Sequence, residues 1–360
     1  MAFDMLQFTG ESAAFSIIGV FLTLSLIWLL GRLACHAGLM DHANARKRHG
    51  DPVPLVGGLS IYFCMIIIVS LFSYADDFLG LILAASIVVG TGVADDAVGL
   101  GVRPRLFLLA SAAGVMLIEH PLSFNTLDLS FIHFPATNSC AGVLLTIIAV
   151  VGLANAFNLA DGIDGLASGY ALLCIVCLVL TLFLISGSVK HLQWILALAT
   201  SIFSFLLVNI SAIPLRKVFL GDAGSLLLGF SLGWTLIFYS QDASNSFHPV
   251  AGLWCVTLPV FDTLALIVDR VRRGRSPFSP DRNHLHYILI DIGLSQRATL
   301  LVILSGALML NLFGLWFTYV ISEKLSFWLY LSLLVAFYFF VTWLAGRRED
   351  VEASLPSEQR

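Results

Sequence analysis

"CAGVLLTIIAVVGLANAFNLADGIDGLASGYALLCIVCLVL", residues 140–180, is two apolar runs joined by a short turn that carries Asp161 and Asp164 among glycines. Each run is about as long as the roughly 20 helical residues that cross a hydrocarbon core. Runs placed back to back in this way make a membrane bundle, and the rest of the chain agrees. Of 360 residues, 58% are hydrophobic and 12% charged, against about 25% charged in a soluble domain. Further runs near 12–31, 54–74, 78–94, 105–119, 192–212, 224–240, 249–268, 298–320 and 326–345 join those at 139–157 and 165–188. The expectation is an all-α, polytopic transmembrane helical bundle of about eleven spans. No internal repeat and no Pro/Gly/Ser-rich linker divides it, so residues 1–346 read as one integral membrane domain and 347–360 as a solvated cytoplasmic tail. The stretch "HPLSFNTLDLSFIHFPATN" (120–138) alternates loosely and is the candidate for a small external β-hairpin.

An odd number of spans puts the termini on opposite sides, and Lys and Arg accumulate in short cytoplasmic loops. Of the 19 Lys and Arg residues, all but Lys190 and Lys324 fall on one side. That side reads as cytoplasmic, with the amino terminus outside and the carboxyl terminus inside. The first run follows Asp4 and Glu11 and precedes Arg32, the pattern of an anchored helix and not of a cleaved signal peptide. Because the two signs are segregated by loop, the net charge of −4 gives no support for nucleic acid binding. The six cysteines are scattered and lie mostly inside apolar runs, which suggests neither a disulfide framework nor a zinc site; "CIVC" at 174–177 reads as packing.

Acidic residues at the inner ends of the runs carry the chemical signal. "GVADDAVGLGVRPR" (92–105) supplies Asp95 and Asp96, the opening turn supplies Asn158, Asp161 and Asp164, and "VFLGDAGSLLLG" (218–229) supplies Asp222. "LPVFDTLALIVDR" (258–270) places Asp262 within an apolar run, where ionisable residues tend to be functional or paired. One such pair can simply solvate a helix end. Asp76 and Asp77 read that way, because they lie on the external side away from the basic loops. Four separate spans supplying acids to one side need another account. Mg²⁺ held by one or two carboxylates, with water and substrate phosphate completing its shell, is the usual arrangement at diphosphate chemistry. Basic loops on the same side offer cations for phosphate oxygens: "ANARKRHG" (43–50) with Lys47, "RPR" (103–105), "PLRK" (214–217), and "RVRRGRSPFSPDRNHLH" (270–286) with Arg275, Arg282, His284 and His286. Topology accounts for Arg272, Arg273 and Arg347. It does not call for the histidines, whose spacing suits phosphate or proton contacts better than a metal.

Five blocks, "RKRHGDPVPLVGGLSIY" (46–62), "ADDAVGL" (94–100), "NAFNLADGIDGL" (155–166), "KVFLGDAGSLLLGF" (217–230) and "RRGRSPFSPDRNHLHYILIDIGLS" (272–295), stand in this order at run boundaries. As an ordered set the chain resembles the polyprenyl-phosphate N-acetylhexosamine-1-phosphate transferase family along nearly its whole length. The resemblance implies an enzyme of the bacterial inner membrane, its site on the cytoplasmic face. It would join undecaprenyl phosphate to the sugar phosphate of a UDP-sugar and release UMP, with Mg²⁺ or, alternatively, Mn²⁺. The peptidoglycan branch carries a triple-histidine stretch where this chain reads "NHLHYILI" (283–290), and the departure points to UDP-N-acetylglucosamine as donor. Members with "HIHH" have a further histidine where Tyr287 stands here. The product would be the first lipid-linked intermediate of a cell-envelope polysaccharide. Membrane lipid and the two substrates are the expected partners, and a homodimer is a candidate assembly. The implied roles are Asp95, Asp96 and Asp161 in catalysis and Asp96 and Asp222 on the metal. Asn158, Asp161, Asp164, Asn209, Lys47, Arg275, Arg282, His284 and His286 would bind substrate. The rival reading is a secondary transporter, whose acids would sit near the midplane on helices related by repeats.

Overall fold

The computed structural model describes residues 2–41, 52–71, 75–119, 140–186, 192–241, 247–279 and 281–354. In hydrocarbon every backbone N–H and C=O must find its partner within the protein, and each apolar run accordingly becomes helix. In chain order these are α1 (Ala2–Leu33), α2 (Gly57–Leu71), α3 (Ala75–Val98), α4 (Val102–Glu119), α5 (Cys140–Ala160), α6 (Leu166–Ser186), α7 (Leu192–Asn209) and α8 (Gly221–Gln241). Then follow α9 (Pro249–Cys255), α10 (Thr257–Arg272), the short α11 (Leu285–Asp291), α12 (Gln296–Val320) and α13 (Glu323–Ser354).

Eight of these helices are long and apolar enough to cross a membrane, and α9 with α10 makes a ninth if that pair, bent by 82°, is one span. These eight or nine are what length and composition alone give among the described residues, and the expected eleven would need α2 and α4 as well. The helix α2 has only 15 residues, and α4 carries Arg103, Arg105 and Glu119. Large apolar side chains such as Phe21, Phe107 and Met309 face outward, as a lipid-facing surface requires. In water such a surface would drive aggregation.

The centre of the bundle is α8, whose apolar window is 89% buried. Its glycines let neighbouring backbones come close, the packing mode that serves membrane helices in place of a hydrophobic driving force. A Cβ on Gly224 would meet the Cα of Gly58 in α2 at 2.7 Å, and one on Gly229 would meet Leu153 O in α5 at 2.5 Å. Gly92 of α3 likewise packs against the backbone of Ala223.

The start of α8 is held by an extended seam. Phe219 N–H donates to Pro54 O (2.9 Å), while Gly57 and Gly58 N–H donate to Phe219 O and Leu220 O (both 3.0 Å). Beside the seam lies a two-residue antiparallel ladder, β1 (Met40–Asp41) with β2 (Val53–Pro54). The hairpin expected over 120–138 lies outside the described residues, as does Lys47. At the carboxyl end α13 continues to Ser354, and Arg348 Nη2 lies 3.0 Å from Asp291 Oδ2 of α11.

Candidate active site

Helix ends from three parts of the chain meet where α8 begins. The first N–H groups of a helix have no intrahelical acceptor. Here a carboxylate from another helix supplies one, since Asp96 Oδ1 accepts the Asp222 N–H (3.0 Å) and Oδ2 the Ala223 N–H (3.3 Å). Gly221 makes room for this: its φ is +72°, and a Cβ there would stand 2.7 Å from Asp96 Oδ2. Asp222 Oδ1 in turn accepts from Asn158 Nδ2 (2.7 Å), which also donates to Ser225 Oγ (3.0 Å). Asp95 turns the other way, with Oδ2 3.0 Å from Arg105 Nη1.

Three residues beyond Asn158 the chain leaves α5 and turns through 161–165 into α6. Asp164 Oδ2 pairs with Lys217 Nζ at 2.5 Å. Asn209, 5% exposed, spans the gap behind them. Its Oδ1 accepts the Gly165 N–H (2.8 Å), and its Nδ2 donates to Val218 O (3.0 Å). Each end of that amide meets main chain, so Asn209 holds the acidic turn against the start of α8 and positions the substrate contacts expected at Asp161 and Asp164. The physical reason is that a buried amide satisfies its own polar atoms first.

The histidine loop closes the other side. Asp262, on α10 just past the bend, accepts His284 Nδ1 (2.8 Å) on Oδ2 and the Leu285 N–H (2.9 Å) on Oδ1, which fixes the start of α11. Arg270 Nε holds Asp281 Oδ2 at 2.8 Å, and its Nη1 donates to Pro277 O (2.7 Å). Burial alone would raise the Asp281 carboxyl. The Arg270 hydrogen bond and charge outweigh it and hold the group below its usual range. His286 stacks on His284 with ring centres 5.5 Å apart, and its Nε2 lies directly over Gly162 in the acidic turn. Burial, then the neighbouring His284 and Arg282, push His286 down from 6.5 to about 4, so the ring is neutral near pH 7.

A sign follows from this. Between pH 6.5 and about 4 the unfolded chain binds a proton at this position that the folded one does not, so stability falls as pH falls through that window. His286→Gln should flatten the melting temperature against pH there. An unchanged slope in the variant would show that His286 is not the group being opposed.

The structure therefore brings together Asp95, Asp96, Asn158, Asp161, Asp164, Asp222, His284 and His286. Asp161 stands exposed at the head of the turn. Arg275 is exposed on the loop, and Arg282 sits over the Tyr287 ring at 5.0 Å. Asp76 and Asp77 belong to the first turn of α3, the opposite end of that helix from Asp95 and Asp96. Two residues that tie the site together carry no role in the sequence patterns. Lys217 is visible there only as one cation of "PLRK", and Asp262 only as an acid in an apolar run, because neither pattern names its partner.

Among the described residues no group of three or more His, Cys, Asp or Glu side chains is arranged to enclose an ion. Asp96 and Asp222, adjoining at the head of α8, are a different kind of donor set. Each Asp96 oxygen that accepts an N–H keeps a second lone pair. Two carboxylates at an open end fit Mg²⁺, which takes one or two of them and completes its shell with water and phosphate. They do not fit a closed tetrahedral zinc site.

The model of glycosyl transferase family 4 matches residues 78–240, the stretch from α3 to α8 that holds every carboxylate of the site except Asp262 and Asp281. The undecaprenyl-phosphate alpha-N-acetylglucosaminyl 1-phosphate transferase of Escherichia coli (strain K12) is 33% identical over 328 residues, covering 90% of this chain and 89% of its own. The enzyme of the same name from Salmonella typhi is 34% identical over 333 residues (91% and 90%). That from Haemophilus influenzae is 31% identical over 294 residues (79% and 80%).

Proposed function

The chain belongs to the polyprenyl-phosphate N-acetylhexosamine-1-phosphate transferases of glycosyl transferase family 4, and from that membership we propose that it transfers N-acetylglucosamine-1-phosphate from UDP-N-acetylglucosamine to undecaprenyl phosphate. An oxygen of the lipid phosphate attacks the sugar-bearing phosphorus of the donor. The bond from that phosphorus to the bridging oxygen breaks, UMP leaves, and a lipid-linked diphosphate sugar remains as the first intermediate of a cell-envelope polysaccharide. The observation that carries this reading is the meeting of Asp96, Asp222 and Asn158 with the Asp164–Lys217 pair at one end of α8.

Two anionic substrates repel, and a divalent ion with flanking cations lowers that cost. Asp96 and Asp222 would hold Mg²⁺, or Mn²⁺ in its place, and the ion supplies charge neutralisation on the diphosphate. Asn158 orients Asp222. Asp161, Asp164 and Lys217 bind the nucleotide sugar, His284 and His286 with Arg275 and Arg282 contact its phosphates, and Lys47 keeps the substrate role that the family resemblance implies. Asp95 sits with Arg105 beside the acceptor. A phosphate monoester with its second pKa near 6 is already mostly ionised near pH 7 and needs no base. Direct attack is therefore favoured over an aspartyl intermediate. The break between α9 and α10 is the one feature a transporter would share, and its carboxylate, Asp262, is taken up in holding the histidine loop.

The lopsided basic residues support a cytoplasmic site in an inner membrane, with α2 and α4 completing eleven crossings in a single integral unit. A homodimer is the assembly we expect. The test uses protein in nanodiscs with undecaprenyl phosphate, Mg²⁺ and donor labelled separately in sugar and uridine. Sugar label should enter the lipid while uridine leaves as UMP. Release of UDP, or no label in lipid, would overturn the reading. Asp164→Asn should lower kcat/KM for the donor by about 10²-fold, the scale of a lost charge-assisted hydrogen bond of a few kcal/mol. Replacing Asp76 and Asp77 together should change it little. Equal losses in the two cases would point to folding and not to a donor site.

A further inference from the structure

Behind the segment that carries Lys217 lies a second cavity, of about 420 Å³. Leu215, Arg216 and Val218 line the cavity, whereas Lys217 turns away to Asp164 and lies over the Phe219 ring. Hydrogen bonds to main-chain carbonyls close the wall between the faces: Asn209 Nδ2 to Val218 O, Phe219 N–H to Pro54 O, and Gly57 N–H to Phe219 O. Across the cavity stand the last turns of α1, with Ile27, Trp28 and Arg32. The Arg32 guanidinium is 4.2 Å from the Trp28 ring centre. Arg32 stands in the last turn of the apolar stretch Ala14–Leu33, the end of a span at which Trp and basic anchors gather. Among the described residues no carboxylate lines the cavity. Among the described residues the one hydrogen bond of the Arg216 side chain runs from Nη2 to Pro52 O (3.0 Å), which leaves further donors of its fork for a ligand.

We propose that this cavity binds the headgroup of an anionic phospholipid, with Arg32 and Arg216 on the phosphate and an acyl chain along Ile27 and Trp28. Two guanidiniums above an apolar wall at an interface are what such a headgroup requires. The occupant is not the reacting lipid, because a phosphate on Arg216 is separated from Asp222 by the hydrogen-bonded wall. The bound lipid braces that wall and so holds Lys217 toward Asp164; this last step rests on the donor site proposed above, while the binding itself does not.

The test is native mass spectrometry of the full chain taken from nanodiscs of phosphatidylcholine with phosphatidylglycerol. The wild type should retain phosphatidylglycerol in preference. The double variant Arg32→Gln/Arg216→Gln should lose that preference by about tenfold or more, at roughly 1 kcal/mol per basic residue, and undecaprenyl phosphate should not displace the lipid. Single variants at Arg32 and Arg216 report the same loss in part if the double variant folds poorly. Equal retention of both lipids by the wild type, an unaltered preference in the variants, or displacement by undecaprenyl phosphate would each overturn the proposal. Failure of the transferase assay alone would leave the lipid result standing.

Discussion

Asp222→Asn should insert and fold as the wild type does and yet lose about 10³-fold or more in turnover. Asparagine keeps the size of the side chain and an oxygen that can accept the Asn158 Nδ2 now bonded to Asp222 Oδ1, so the contacts at the head of α8 survive. What goes is the negative charge that a hard cation needs. Metal at a transferring phosphoryl group contributes several kcal/mol to the transition state, and each 1.36 kcal/mol is tenfold in rate. The loss should fall on kcat, with a raised requirement for Mg²⁺. The measurement is sugar-phosphate transfer against metal concentration, beside a melting curve to confirm folding. A folded variant turning over near the wild-type rate would remove Asp222 from the ligands.

Gly221→Ala is the second large effect, and it arises from geometry, not charge. At φ +72° an L residue costs about 1–2 kcal/mol. The new Cβ would also stand 2.7 Å from Asp96 Oδ2 and push that carboxylate off the two N–H groups that orient it. Misplacing a reacting constellation by about 1 Å costs on the order of 10²-fold, so transfer should drop by that much while the protein remains inserted. Gly90→Ala, in α3 with open space around the added carbon, is the control and should be neutral or slightly stabilising. If the two variants lost activity alike, the seating of Asp96 on α8 would not matter to the reaction.

Sequence by itself determined the class of fold and the identity of most of the site. Apolar runs of span length admit only helix in hydrocarbon, and acids beside glycine at the ends of those runs mark where polar chemistry collects. The five ordered blocks then narrowed the chemistry to one family. Run length did not show that α2 would be only 15 residues long or that α4 would include Arg103, Arg105 and Glu119, because hydropathy counts residues and not where a helix begins or is interrupted. The 82° break between α9 and α10 was invisible for the same reason.

Partner choice was decided by tertiary structure alone. Asp95 and Asp96 are adjacent and identical in type, yet one meets Arg105 and the other caps α8, because neighbouring side chains on a helix point about 100° apart. Asn209 has the composition of a ligand contact and the position of a clasp. Lys217 and Arg216, side by side in the segment before α8, face different sites: Lys217 pairs with Asp164, and Arg216 lines the cavity beside α1. The hydrogen bonds and ion pairs behind these outcomes join residues 9 to 126 positions apart, and spacing along the chain does not encode which of several such approaches the packed glycines of α8 will permit.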